Sequence, residues 1–313
     1  MGALISPVAA PGKQGMKDAS LLRSLMFVPG NNRRFIDNAP STGADAICLD
    51  LEDSVAPADK AAGRQTVRES LAAVAAAGEY QVFVRVNGLD TGLLEEDLLA
   101  VIGPEIDGIS LPKANSPEIV QTVDHYLTVL EVKQGLKKGS IRIAPWIESA
   151  EAVLRAADIC RASDRVVAAS FGSEDFTIDM RIQRSRSSKE VEWARYAFAT
   201  ACAAAGVAAF DAPEMDYRDT AQLEQDATFV RSIGFTGKFC IHPSQVAIVN
   251  RIFQPTALEI EEARKIVEVY QQAERESRGA VGMDGMVVDR PVYVRALALL
   301  ERAAANEQAG KDT

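Results

Sequence analysis

Residues 141–150 read IRIAPWIESA, and the two halves of the stretch obey different rules. Ile141-Arg142-Ile143-Ala144-Pro145-Trp146-Ile147 is a nearly unbroken apolar run, the length and character of a strand buried on both faces. It ends at the carboxylate of Glu148. Ala150, Val153, Leu154 and Ala157 then recur at helical spacing. An acid at the end of a buried strand points at whatever sits above the sheet. Residues 166–175, VVAASFGSED, repeat the design: an apolar run, a Gly, then Glu174 and Asp175. Two such acids in neighbouring strand–helix units make a candidate divalent-metal site. The competing reading is that they cap the helices that follow, where negative charge favours the helix dipole.

Working outward, the same unit recurs along the chain. Strands are expected at 24–29, 46–51, 81–86, 108–113, 141–147, from 166, at 207–210 and at 237–243. The matching helices are expected at 33–40, 60–77, 93–102, 117–135, 150–161, 190–205, 220–233 and 244–253. Strands alternating with helices imply a parallel sheet. Eight units in about 240 residues match an α/β (β/α)8 TIM barrel. An open doubly wound sheet explains the alternation too, but not why polar groups mark nearly every strand end. Asp50-Glu52-Asp53, Arg85-Asn87, Lys113, Glu148, Glu174-Asp175, Asp211 and His242 are expected to ring one barrel face, the C-terminal face that carries active sites.

Three regions follow. Residues 1–20 lack period and are expected to be a mobile tail; 21–255 form the barrel. Residues 256–313 form a C-terminal helical arm, with a charged helix at 258–275, a Gly-rich loop at 279–285, the run MVVDRP and a last helix at 292–305. The arm is too small to fold alone and is expected to pack on the barrel or on another subunit.

Composition narrows the function. The 313 residues carry a net charge of −10 and a pI near 4.9, which argues against nucleic acid or an anionic membrane as partner. No apolar run reaches the roughly 18 residues of a membrane span, and no signal-peptide pattern opens the chain. The four cysteines show no metal or redox spacing, as expected of buried reduced thiols in a cytoplasmic protein. Two histidines leave little for a His-rich zinc site or a Ser-His-Asp hydrolase.

Glu148 and Asp175 suit Mg2+, which takes one or two carboxylates and fills its octahedron with water and substrate oxygens. Asp50, Glu52 and Asp53 either orient metal-bound waters or pair with Arg85; the alternative is a helix cap and two solvated acids. Arg85 lies between Val84 and Val86, and a charge on a core strand needs a carboxylate from protein or substrate. Arg33, Arg34 and Lys113 are candidates for contact with a phosphorylated ligand, or solvated surface groups. His242, before Pro243, reads as a satisfied rim histidine. Asp289 stands alone in the apolar run of the arm.

RSLMFVPGNN, LDLEDSV, VRVNG, LPK, IESAEAV, FGSEDF, FDAP, GFTGKFCIHPSQ and MVVDRP, in this order across residues 22–300, resemble the citrate lyase β-subunit / malyl-CoA lyase family of the HpcH/HpaI aldolase superfamily. The resemblance implies a TIM barrel and Mg2+-dependent cleavage or formation of C–C bonds in 3-hydroxy-3-carboxyl acyl thioesters. It implies Glu148 and Asp175 as metal ligands. Arg85, Glu148, Arg33 and Lys113 are the expected substrate contacts, and Arg85, Glu52 and Asp289 the expected catalytic set. Asp289 matches an aspartate delivered into a neighbouring subunit's site, which implies a homotrimer or hexamer. His242 stands where the carrier-protein branch is expected to have Asn. That favours a CoA thioester, malyl-CoA or citramalyl-CoA, giving acetyl-CoA and glyoxylate or pyruvate. A malyl-CoA thioesterase and a citryl-acyl-carrier-protein lyase are the alternatives.

Overall fold

Eight parallel strands close into a barrel in chain order. The structure, a computed structural model, describes residues 19–309. The strands are β1 (Ser24–Pro29), β2 (Ala46–Asp50), β3 (Gln81–Arg85), β4 (Gly108–Leu111), β5 (Arg142–Ile147), β6 (Ala168–Phe171), β7 (Ala208–Asp211) and β8 (Gly237–Cys240). Closure is made by β8 beside β1, with Lys238 level with Ser24 and Cys240 with Met26.

Alternation along each strand sorts the side chains. Ala46, Cys48, Phe83, Ala144, Trp146, Ala168, Ala208, Phe210 and Phe239 form the barrel interior. Their neighbours Ile47, Leu49, Val82, Val84, Ile143, Ile147, Ala169 and Ala209 face the helices. Alanines at 46, 144, 168 and 208 leave room for the aromatic rings. By the same phase Asp50 and Arg85 point inward at the top of the barrel. Strand 141–147 thus reads as expected, with Trp146 inside, Ile147 outside and Glu148 beyond the end.

The helices are α1 (Arg33–Asn38), α2 (Lys60–Ala76), α3 (Leu94–Val101), α4 (Pro117–Lys133), α5 (Ala150–Leu154), α6 (Ala156–Cys160), α7 (Ser173–Asp179), α8 (Glu192–Ala205), α9 (Thr220–Ser232), α10 (Pro243–Phe253), α11 (Ala257–Arg275) and α12 (Arg290–Ala309). Two expectations are corrected. The single helix at 150–161 is broken at Arg155 (φ −108°, ψ 9°), and the break lets Ala152, Val153, Ala156 and Ile159 all bury against the barrel. The Gly-rich loop of the arm is a hairpin, β9 (Ala280–Met283) and β10 (Met286–Asp289). Asp284 and Gly285 both take positive φ, as a two-residue hairpin turn requires.

The arm packs under the barrel. Helix α12 meets the short turn Ala19–Leu21 that leads into β1. Arg302 donates to the carbonyl of Thr236, just before β8, at 2.9 Å. Arg231, at the end of α9, pairs with Glu259 at 2.9 Å. All of these lie at the strands' N-terminal ends, opposite the polar rim. The expected mobile tail falls almost wholly on residues 1–18, outside the described residues. No helix among the described residues is long and apolar enough to cross a membrane.

Candidate active site

At the top of the barrel a guanidinium is caged by carboxylates above an aromatic floor. Arg85 ends β3. Its Nε and Nη2 donate to the two oxygens of Asp50, each at 2.7 Å, the forked geometry in which Arg binds carboxylate most specifically. Nη1 meets Glu52 at 3.0 Å and Asp53 at 3.4 Å. The guanidinium lies 4.5 Å from the ring centre of Phe27 and 6.0 Å from that of Trp146. Phe27 in turn stacks on Phe239 at 4.5 Å.

The turn after β2 is built to hold this cage. Asp50 accepts from the Glu52 and Ser54 main chains at 2.9 and 3.0 Å. Lys60 donates to the carbonyls of Leu51 and Glu52 at 2.8 and 2.7 Å. Burial raises the Asp50 carboxyl, but Arg85, together with the hydrogen bonds from Ser54 and Glu52, offsets it and leaves Asp50 below the ordinary range. Glu52 goes the other way. Burial and Asp53 raise it above the ordinary range despite Arg85 and Lys113. The expected pairing of the acidic knot with Arg85 is present. Asp53 is 64% exposed at its side chain and contributes least.

Glu148 and Asp175 come together beside this cage. Glu148 is buried, and burial followed by the charge of Asp175 pushes its carboxyl up to about 8. Asp175 lies in the first turn of α7, a helix not anticipated, instead of at a strand end. Gly172 makes the approach possible: a Cβ there would stand 2.5 Å from Glu148 Oε2 and 2.6 Å from its Cβ. Lys113 supplies two contacts. Its N–H donates to Glu148 Oε1 at 2.6 Å, and its Nζ donates to Glu52 Oε1 at 3.0 Å. A buried carboxyl raised by its burial and by the charge of a neighbouring acid fits a hard divalent cation that would neutralise both side chains. Among the described residues no three His, Cys, Asp or Glu side chains gather in a metal-holding group. A site of two carboxylates completed by water and substrate oxygens suits Mg2+ better than a closed protein cage.

The other expected residues lie elsewhere. Arg33 pairs with Asp37 on its own helix at 2.8 Å, half-exposed, and is not drawn into the cluster. His242 caps α10, accepts from the Ser244 N–H at 3.2 Å and stacks on Tyr217. Asp289 ends β10, and its carboxylate accepts from the Val292 N–H at 3.2 Å at the start of α12. Within one chain it is not brought to Arg85 or Glu148. Asp211 is corrected: it faces outward, away from the rim ring. It binds Arg195 of α8 at 2.9 Å and Lys238 of β8. Asp226 of α9 completes this buried tetrad, at 2.7 Å from both Arg195 and Lys238.

A family model described as HpcH/HpaI aldolase/citrate lyase matches residues 23–243. The chain belongs to the HpcH/HpaI aldolase/citrate lyase family. The citrate lyase subunit beta of Leuconostoc mesenteroides subsp. cremoris is 36% identical over 291 residues, 93% of this chain and 96% of that one. The L-malyl-CoA/beta-methylmalyl-CoA lyase of Rhodobacter capsulatus is 33% identical, over 87% of this chain and 91% of its own. Protein CitE of Mycobacterium tuberculosis, solved with magnesium, acetoacetate and coenzyme A, superposes with a TM-score of 0.74. It is 27% identical, covering 90% of this chain and 98% of that one. The HpcH/HpaI match spans all eight strands and stops in the first residue of α10, so the arm lies beyond it.

Proposed function

We propose that the chain is a Mg2+-dependent carbon–carbon lyase that cleaves malyl-CoA or citramalyl-CoA to acetyl-CoA and glyoxylate or pyruvate. The observation that carries this reading is the juxtaposition of the Glu148–Asp175 pair with the caged Arg85. One half suits a cation and the other an oxyanion. The substrate class draws on the malyl-CoA lyase relative and on the magnesium and coenzyme A bound by the Mycobacterium tuberculosis neighbour.

Glu148 and Asp175 would hold Mg2+, which would act there as a Lewis acid toward the oxygens of the 2-oxo acid half. Cleavage passes the hydroxyl proton to solvent water and breaks the bond between the carbinol carbon and the thioester α-carbon. The electron pair remains on the acetyl thioester as an enolate. Arg85 faces that developing oxyanion. Asp50 and Glu52 fix the plane of its guanidinium before substrate arrives, and such preorganised donors are worth about 2.7–4 kcal/mol each in comparable sites. The enolate carbon then takes a proton, and Asp289 of the partner subunit is the proposed donor. What supports transfer from a partner is the placement of the arm: it packs beneath its own barrel, at the end opposite Arg85.

Incubation with malyl-CoA and citramalyl-CoA, following 2-oxo acid and free CoA separately, tests the reading. Equal release of acetyl-CoA and 2-oxo acid is the expected result; free CoA without 2-oxo acid identifies a thioesterase. The 36% identity to a citrate lyase subunit beta favours a second reading, a lyase of carrier-bound citryl thioester. That enzyme would leave every CoA ester intact and cleave the citryl thioester only when it is presented on an acyl-carrier partner.

A further inference from the structure

Lys113 follows β4 with a φ of +51°. Glycine and asparagine visit this left-handed region readily, and a β-branched residue scarcely at all. The turn does something a regular extension of β4 would not. It aims the Lys113 N–H at Glu148 Oε1, 2.6 Å away, and the next N–H, of Ala114, at the Trp146 carbonyl, 3.3 Å away. Oε2 is left against Gly172, at the entry to the turn that carries Asp175.

The Lys113 side chain runs the other way. Its Nζ holds Glu52 Oε1 at 3.0 Å, while Glu52 Oε2 meets Arg85 Nη1 at 3.0 Å. A single residue therefore bridges the carboxylate pair and the guanidinium cage, through different atoms.

We propose that Lys113 is a positioning residue with two separable parts. Its left-handed main chain sets the Glu148 carboxylate so that Oε2 faces Asp175 and a cation. Its ammonium sets Glu52 and, through it, Arg85. The inference rests on the Mg2+ lyase reading above.

The test compares Lys113→Gly, Lys113→Asn, Lys113→Val and Lys113→Arg in the full-length protein. Gly, Asn and Val all remove the ammonium, but only Val resists the left-handed turn. Mg2+ affinity is measured calorimetrically without substrate, and kcat and KM for cleavage are measured separately. Residues that orient a metal ligand are typically worth about 10–100-fold in affinity or activity. Gly and Asn are expected to keep Mg2+ affinity near wild type, and Val to lose about tenfold or more. All three are expected to lose about tenfold or more in kcat with little change in KM, and Arg to recover part of it. Equal Mg2+ loss in Gly and Val overturns the main-chain role; an unchanged kcat in Gly overturns the ammonium role. If Val does not fold, tenfold weaker Mg2+ binding in Gly and Asn still overturns the main-chain role. A wild type that binds no Mg2+ defeats the metal reading instead. The turn is then judged by melting temperature, and equal melting of Gly and Val overturns it.

Discussion

Glu148 is expensive to keep as an anion. Burial and Asp175 both work against its charge, and among the described residues its direct hydrogen bond comes from the main-chain N–H of Lys113. Glu148→Gln keeps the shape and an oxygen for that N–H, and removes the repulsion. The ligand-free variant is expected to melt higher than wild type, by roughly 2–4 °C for each kcal/mol recovered. Mg2+ should no longer raise its melting temperature. In wild type, Mg2+ at a hundred times its dissociation constant is worth about 2.7 kcal/mol. Thermal melting with Mg2+ and with EDTA reads both effects, and a variant still stabilised by Mg2+ contradicts the ligand assignment. Arg85 was legible in the sequence because Val84 and Val86 bracket it, and a buried charge demands a partner. The same logic applies to Lys238, between Gly237 and Phe239, but the short run GKFC reads as apolar and its two acids lie on other elements. The aromatic floor was not legible. Phe27, Trp146 and Phe239 meet only once the barrel has closed.

The turn between β6 and α7 leaves no room for a side chain at Gly172. Gly172→Ala would drive a methyl into Glu148 Oε2 and Cβ. Overpacking of this kind typically costs about 1–3 kcal/mol, and here the displaced group is the proposed metal ligand. The expected outcome is a lower denaturant midpoint together with loss of Mg2+ binding. On the outer wall, Asp226 ties α9 to α8 and β8. Burial raises its carboxyl, but Lys238 and Arg195 hold it well below the ordinary range. A depressed folded-state value contributes stability above the unfolded carboxylate pKa of about 3.9, and that stability is lost as pH falls through the folded value. Asp226→Asn is therefore expected to cost about 3–5 kcal/mol at pH 7 by leaving buried cations underpaired. The gap to wild type should narrow under acid, as urea unfolding at neutral and acidic pH would show. Two elements escaped the sequence reading although their signals were present. Glu174 and Asp175 after Gly172 mark a helix start, hidden by the brevity of α7. Asp284-Gly285 between two short runs is a hairpin turn, and reading it as a loop missed what orders Asp289.

Within one chain, the cluster around Arg85 and the packing of the arm lie at opposite ends of the barrel. The barrel was legible because eight strand–helix periods leave few alternatives, and because acids follow the apolar runs. Where the arm docks was not, since its contacts with Thr236 and the turn at Ala19–Leu21 join residues far apart in sequence. A site that borrows Asp289 from a neighbour predicts complementation between two inactive chains. Glu148→Gln and Asp289→Asn, mixed in equal amounts and allowed to reassemble, should recover about a quarter of wild-type activity if each site takes its barrel and arm from different chains. No recovery under conditions where wild-type chains exchange would place Asp289 in its own chain's site or outside catalysis. The most direct measurement of the central claim runs the reaction in reverse. Protein, Mg2+ and acetyl-CoA are combined with glyoxylate or with pyruvate, each with an EDTA control, and the CoA species are followed by mass spectrometry. A malyl-CoA or citramalyl-CoA peak that vanishes with EDTA is the predicted result; no adduct in either tube, or an adduct that survives EDTA, would contradict it.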